Sequence, residues 1–174
     1  EISHESFRFT HVLYVIKKPL LVASALFAIV VNFFMQGTVF SFISGRAKDL
    51  GASSLLIGAI SLSFTLIQVL SAPYVGKKLL KRMKSNTALS LGFFFLSLSS
   101  FIVVVTKTPY ILVLSNIIAG MGCIICNGLL MSLVVKSVEE EKRATAMGFY
   151  QAVYGIGMTL GPILVGRIIN NGGY

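Results

Sequence analysis

The side chains that could do chemistry in this sequence are few, and they form no catalytic set. Cys123 and Cys126 make a C-x-x-C pair inside an apolar run that holds no other soft ligand, and His4 and His11 lie far away in sequence. Metal centres need further ligands, and reactive thiols need an electropositive setting. We therefore interpret the cysteines as small packing residues and predict neither a metal site nor a cofactor.

The remaining polar side chains are uncharged and recur every three or four residues, which is the spacing of one helix face. Buried amides in an apolar environment must find partners. Four sets occur: Asn32 and Gln36; Ser61, Thr65 and Gln68; Asn116, Gly120, Cys123 and Asn127; and Met147, Gln151, Tyr154 and Met158. We predict that their polar members line a solute cavity; hydrogen bonding between helices is the alternative for each residue taken singly.

The elements that carry these sets are five stretches without a charged side chain, each of about 22 residues or more. About 20 residues of helix cross the ~30 Å hydrocarbon core, and only a helix satisfies its own backbone hydrogen bonds there. The stretches lack the in–out alternation of membrane strands. We predict an all-α polytopic transmembrane bundle, with a linker segment at 1–18, a membrane domain at 19–174, and spans at about 19–45, 50–76, 85–106, 108–135 and 144–168.

Composition and charge support this interpretation. The chain is 55% hydrophobic and 12% charged, whereas soluble domains carry about 25% charged residues. The net charge of +9 does not indicate nucleic-acid binding, because the basic residues sit in short segments between apolar runs. Eleven of the fifteen Lys and Arg fall in the segments at 1–18, 77–84 and 136–143. The positive-inside rule then predicts an integral protein of the plasma membrane with a cytoplasmic N-terminus.

No Asp, Glu, Lys, Arg or His lies inside the charge-free stretches. An intramembrane enzyme would need a nucleophile with its base, or a metal triad, so we predict that the chain is not an enzyme. A proton relay also needs an ionisable group within the membrane. If the protein is proton-coupled, the titrating carboxylate is therefore expected outside these helices.

Two segments carry glycines and basic residues in a recognisable order. The loop after the second span reads G-K-K-L-L-K-R-M-K, with Gly76, Lys81 and Lys84 at spaced positions. The fifth span follows G-x8-G-x3-G-P-x2-G-G except that Val165 replaces one glycine; its matching members are Gly148, Gly157, Gly161, Pro162 and Gly166.

This arrangement resembles the major facilitator superfamily of secondary transporters over nearly the whole chain. The family's G-x-x-x-D-R-x-G-R loop follows the second helix of each six-helix half; here Leu80 replaces its aspartate and Met83 its second glycine. Because such loss is usual in the C-terminal half, the resemblance implies helices seven to eleven, with the N-terminal half as the alternative. The missing N-terminal half is then an expected partner, and a sixth helix would follow the polar stretch at 170–174. The absence of an initial methionine likewise suggests a fragment or a processed product.

The glycines of the fifth span also have a physical interpretation. Small residues let helices approach closely in lipid. At 100° per residue, Gly148, Gly155 and Gly166 fall near one angle, while Gly157 and Gly161 form a second face, and Pro162 favours a kink. Static packing and a surface that slides or bends during alternating access are both consistent with this pattern.

The function predicted from these features is alternating-access transport of a small organic solute across the lipid bilayer. Export of a drug or metabolite is favoured, because the polar faces are uncharged and rich in aromatic and Met residues. The alternatives are a sugar or metabolite uptake carrier and a non-transporting membrane scaffold or assembly protein.

Overall fold

The computed structural model describes residue 14 and residues 17–171. The predicted linker at 1–18 therefore lies almost wholly outside the described residues. Five long helices make up the rest: α1 (Pro19–Asp49), α2 (Ser54–Arg82), α3 (Ser85–Val105), α4 (Ile111–Lys136) and α5 (Arg143–Asn171), with one 3-10 turn, Glu140–Lys142, before α5. No strand occurs in the described residues, which confirms the all-α fold.

Each of the five predicted spans overlaps one of these helices. Within the described residues, α1 to α4 are long and apolar enough to cross a membrane. The fifth helix has 29 residues and hence a length of about 43 Å at 1.5 Å per residue, but its glycines and polar residues make it less apolar. Its crossing of the bilayer stays a prediction.

Two helices extend beyond their predicted spans. The first continues to Asp49 and the second to Arg82, and each includes a π-helical segment, Met35–Phe42 in α1 and Val75–Leu79 in α2. Long Lys and Arg stems can lie along apolar surface while the charged head reaches water, so a helix does not have to end where charges begin.

The turn between α1 and α2 has its own local signals. Gly51 adopts a φ of 76°, a left-handed conformation that glycine tolerates because it has no Cβ. The hydroxyl of Ser53 then accepts a hydrogen bond from the backbone N–H of Leu56 at 3.3 Å, which is the N-cap that starts α2. Together these residues place the start of α2 a few residues later than predicted.

The fourth helix forms the centre of the bundle and packs against all four others. Half of its most apolar 18-residue window is buried, compared with 11% for α2. The first and fifth helices form a second extensive pair, while α3 packs chiefly on α4. The opposite face of α3 is exposed through Phe94, Phe101 and Val104, an apolar surface suited to contact with lipid.

Glycines allow the helices to approach closely at three crossings. A Cβ on Gly161 of α5 would lie 2.7 Å from the carbonyl oxygen of Phe33 in α1. A Cβ on Gly120 of α4 would lie 2.8 Å from the carbonyl oxygen of Phe64 in α2, and one on Gly122 would lie 2.8 Å from that of Gly92 in α3. Backbone-to-backbone contact of this kind is how helices associate in lipid, where no hydrophobic effect drives them together.

Candidate solute-binding site

The fifth helix presents two different glycine faces. Gly157 and Gly161 pack directly on the α1 backbone at Ile29 and Phe33. A Cβ on Gly148, Gly155 or Gly166 would meet nothing within 4 Å among the described residues. The two glycine faces predicted from the sequence therefore have different roles. Gly157 and Gly161 join α5 to α1, whereas Gly148, Gly155 and Gly166 form an uncovered surface, the open ridge.

Polar and thioether side chains accompany the open ridge of α5. Gln151 and Met158 are exposed and Tyr154 is half-buried, while the exposed hydroxyl of Thr159 donates to the carbonyl of Gly155 at 3.0 Å. Pro162 is also exposed. This face of α5 is thus available to a solute or to another helix.

The second helix carries its polar residues along one edge. Ser61 and Gln68 are half-buried and Thr65 is exposed. The Gln68 amide donates to the carbonyl of Phe64 in its own helix at 3.4 Å, a long bond that leaves the side chain able to exchange partners. Leu62 and Val69 lie about 90° further around α2 from Ser61 and Gln68 and are strongly exposed, as expected of a lipid-facing surface.

The two amides of the first helix have different environments. Asn32 is buried, and its Nδ2 donates to the carbonyl of Ala28 at 2.9 Å, so it is satisfied within its own helix. Gln36 is half-buried and lies within the π-helical segment, where its Cβ faces Gly161 of α5. Only Gln36 of this pair is open to a solute.

The predicted face of the fourth helix divides between two neighbours. Asn116 is 1% exposed; its Nδ2 donates to the carbonyl of Ile60 in α2 at 2.8 Å, while its Oδ1 is buried without a partner among the described residues. Asn127 is half-buried, and its Nδ2 lies 3.6 Å from Sδ of Met35 in α1. Asn116 thus joins α4 to α2, and Asn127 lies where α4 meets α1.

Sequence reasoning did not single out Tyr150. This side chain is 1% exposed, its hydroxyl has no partner within the described residues, and its ring packs edge-on against Tyr154 at a centroid distance of 5.3 Å. A signal was present, because Tyr150 precedes Gly157 by seven residues and so shares the α1-facing side of α5. Met35 was also missed, because a thioether gives no polar signal in an apolar run.

The cysteines lie in the interior, as their sequence context suggests. Cys123 and Cys126 are both free and fully buried, and Cys126 packs beside Gly92 of α3. No group of three His, Cys, Asp or Glu that could hold a metal occurs in the part of the chain that the structure describes.

Charged groups collect at the ends of the bundle. The Lys142 ammonium lies 2.9 Å from a carboxylate oxygen of Glu139 and 4.0 Å from the ring centroid of Tyr14. The hydrogen bond and charge of Lys142 lower the pKa of Glu139, and the same hydrogen bond raises the pKa of Lys142. At the opposite end, Arg46 donates to the carbonyl of Thr106 at 3.3 Å, which joins the ends of α1 and α3.

The basic loop predicted from the sequence lies at the end of α2. Gly76, Lys81 and Lys84 are all exposed, and a Cβ on Gly76 would meet nothing within 4 Å among the described residues. Lys81 shares a cavity with Lys136 at the end of α4. The segments at 77–84 and 136–143 are therefore at the same end of the bundle.

Comparison with known proteins agrees with this architecture. The family model of the Major Facilitator Superfamily matches residues 25–174. The chain is 32% identical over 126 residues to the protein named "Multidrug efflux pump SdrM" of Staphylococcus aureus (strain N315). That alignment covers 70% of this chain and 27% of the relative. No solved structure matches the chain significantly.

Proposed function

The chain belongs to the Major Facilitator Superfamily, and we propose that it forms part of a secondary transporter that moves a small organic solute by alternating access. Its apolar helices make it an integral membrane protein in contact with the lipid bilayer. The proposal includes no enzymatic step and no cofactor. The solute site would lie near the bilayer midplane, as in other secondary transporters.

The observation that carries this proposal is the exposure of uncharged polar side chains on helices long enough to cross a bilayer. Gln36, Gln68 and Asn127 are each partly exposed, and Gln151 on α5 is exposed. An amide facing lipid has no hydrogen-bond partner, and such groups normally face a bundle interior or a water-filled cavity. Asn32 and Asn116, whose amides already donate to backbone carbonyls, contribute to packing more than to the cavity.

We further propose that the N-terminal half of the transporter covers these polar faces. The aligned region is only 27% of the relative's length, so the relative has ample sequence for another set of helices. The open ridge of Gly148, Gly155 and Gly166 offers a surface on which another helix could pack closely and slide. The assignment of these helices to the C-terminal half is itself part of this proposal.

Export of a drug or metabolite is the favoured direction. The relative is named as a multidrug efflux pump, and Met35, Tyr154 and Met158 add thioether and aromatic surface beside the amides. Met side chains adapt to irregular shapes and suit surfaces that bind varied partners. Uptake of a sugar or metabolite is the alternative direction.

Coupling to protons would require a carboxylate outside the charge-free stretches, because these stretches hold no ionisable side chain other than Tyr and Cys. We place that group in the N-terminal half. Proton-coupled flux by these helices alone, reconstituted in vesicles, would contradict this assignment.

Cysteine accessibility tests the proposed cavity. Gln36, Gln68, Asn127 and Gln151 would each be changed to Cys in the full-length natural protein, and intact cells and inside-out membrane vesicles would each be treated with a membrane-impermeant, water-soluble thiol reagent. We expect labelling at these positions from one or both sides, with protection by a transported solute. Leu62→Cys and Val69→Cys on the exposed apolar edge of α2 are matched controls that should resist the same reagent.

The unmodified protein gives the background for this experiment, because Cys123 and Cys126 are fully buried. If the cysteines at all four amide positions react with the reagent as little as the two controls do, the proposed cavity is contradicted. That result would favour a non-transporting scaffold or assembly protein. Accumulation of a fluorescent drug in cells with and without the protein then separates export from uptake.

Orientation can be read from the same cells. Eleven basic residues in the segments at 1–18, 77–84 and 136–143 favour a cytoplasmic location for those segments and for the N-terminus, in the plasma membrane. Cysteines placed at Lys84 and Lys107 should then react with the impermeant reagent from opposite sides of the membrane. In intact cells, only Lys107→Cys should be labelled. Labelling of Lys84→Cys from outside would reverse the proposed topology.

A further inference from the structure

A cavity of about 460 Å³ lies between the ends of α2 and α4 and is distinct from the amide positions described above. Its polar lining comes from Lys81 on α2 and from Ser132 and Lys136 on α4. This volume is within the range of about 300–1,000 Å³ that is usual for small-molecule sites. Two ammonium groups and a hydroxyl around one space are donors suited to an oxyanion.

The same cavity has an apolar side. Val75, Leu80 and Ile124 also line it, and Val75 is fully buried. Ile124 lies three helical turns further into the bundle than Lys136, about 18 Å along α4 at 1.5 Å per residue. The cavity is therefore amphipathic, with its positive charge at the helix ends and its apolar surface deeper in the membrane.

The positive charge of the cavity is not neutralised by nearby acids. No Asp or Glu is among its lining residues in the described part of the chain. Glu139 and Glu140 form ion pairs with Lys142 and Arg143 of the α5 start. An anion in the cavity would thus not have to displace a carboxylate from either lysine.

Two glycines keep the cavity open. A Cβ on Gly76 would meet nothing within 4 Å among the described residues, and one on Gly128 would touch only Leu80 at 3.4 Å. The helix could therefore accommodate a larger side chain at Gly76, and that side chain would fill the cavity. Such a substitution closes the cavity without altering its charge.

We propose that this cavity, the α2–α4 basic cavity, binds the phosphate group of a phosphate ester through Lys81, Ser132 and Lys136. A lipid headgroup and a soluble phosphate ester are the two sources of that chemistry. Basic pockets between helices at the membrane surface bind anionic headgroups, and Ser132 adds a hydroxyl donor for a phosphate oxygen.

Native mass spectrometry of the full-length natural protein in detergent tests this site. The protein would be titrated with dioleoylphosphatidylglycerol and, separately, with dioleoylphosphatidylcholine, which has the same acyl chains but a zwitterionic headgroup. We expect tighter binding of phosphatidylglycerol, and a loss of about 10–30-fold in that affinity in the double variant Lys81→Gln/Lys136→Gln, as expected for two lysine contacts at a membrane surface.

Lys77→Gln/Lys78→Gln is the matched control, since it removes the same charge from exposed positions of the same loop that do not line the cavity. We expect this control to bind phosphatidylglycerol within about threefold of the unmodified protein, because Lys77 and Lys78 do not line the cavity and a detergent micelle offers no anionic membrane surface to attract them. Equal losses in the two double variants, or equal binding of the two lipids, would overturn the proposal.

Occlusion provides a second, charge-neutral test. Gly76→Leu should weaken phosphatidylglycerol binding, whereas Gly58→Leu, also on α2 and also open around its Cβ, should leave it unchanged. Normal binding by Gly76→Leu would overturn the assignment to this cavity. Competition with glycerol phosphate identifies the source: displacement of the lipid supports a soluble ester, and persistence of the lipid adduct supports a headgroup site. Because binding is measured and not flux, the result is independent of the proposed transport function.

Discussion

The crossing of α1 and α5 gives the sharpest stability prediction. Replacing Gly161 with Ala would place a Cβ 2.7 Å from the carbonyl oxygen of Phe33 and 3.1 Å from the backbone nitrogen of Gly37. Carbon and oxygen atoms in close contact normally stay about 3.3–3.6 Å apart. The helices must therefore separate by about 0.6–0.9 Å, because the obstructing atoms belong to the backbone and have no rotamer to change.

A separation of this size has a calculable cost. A gap of about 0.5–1 Å removes a quarter to a half of the dispersion attraction between facing atoms, and overpacking of a close interface typically costs about 1–3 kcal/mol. Ala also stabilises a helix over Gly by about 1 kcal/mol, which partly offsets this cost. Gly45→Ala in α1 serves as the control, because its Cβ would meet nothing within 4 Å among the described residues.

We expect Gly161→Ala to unfold with a free energy about 1–3 kcal/mol lower than that of Gly45→Ala. The comparison between the two variants cancels the gain in helix propensity, which both share. Titration with sodium dodecyl sulfate in mixed micelles, followed by far-ultraviolet circular dichroism, measures both values. Unfolding free energies that agree within about 0.5 kcal/mol would show that α1 and α5 do not approach through Gly161.

Three further predictions concern polar contacts. Asn116→Ala should lower the unfolding free energy by about 0.6–1.7 kcal/mol, the range for hydrogen bonds between membrane helices, as measured in the same titration. The hydroxyls of Ser99 and Ser115, buried and 2.9 Å apart, should show a coupling of about 0.6 kcal/mol in a double-mutant cycle with Ala; no coupling would contradict the bond. Because Lys142 lowers the pKa of Glu139, the contact stabilises the protein above the ordinary pKa of Glu and is lost as the pH falls through the lowered one. The stability advantage over Glu139→Gln should therefore vanish in acid, and an advantage that persists there would refute the ion pair.

The helices were predictable from sequence because the bilayer leaves the backbone so few choices. An uncharged stretch long enough to cross the hydrocarbon must satisfy its own hydrogen bonds, and each of the five stretches forms a helix. The π-helical segment Met35–Phe42 was not predictable, since it contains no proline or other local signal. The late start of α2 was visible in principle, because Gly51 and Ser53 are ordinary turn and cap residues.

The partners of the polar side chains were less predictable. The spacing of Asn116 and Asn127 predicts that both lie on one face of α4. In the structure, however, Asn116 contacts α2 and Asn127 contacts α1. That division depends on how α1 and α2 cross α4, and it is set by glycine contacts such as that of Gly120 with Phe64. Spacing along one helix carries no information about which helix lies opposite.

The central position of α4 has a consequence for how the chain is made. Proteins are synthesised from the N-terminus, so α2 and α3 leave the ribosome before α4, with which they make most of their contacts, and α1 leaves long before its main partner, α5. The contacts that α2 makes with α3 are few compared with those that either makes with α4. Helices α2 and α3 must therefore wait in the insertion machinery or in lipid until α4 arrives, and α1 gains most of its contacts only when α5 follows.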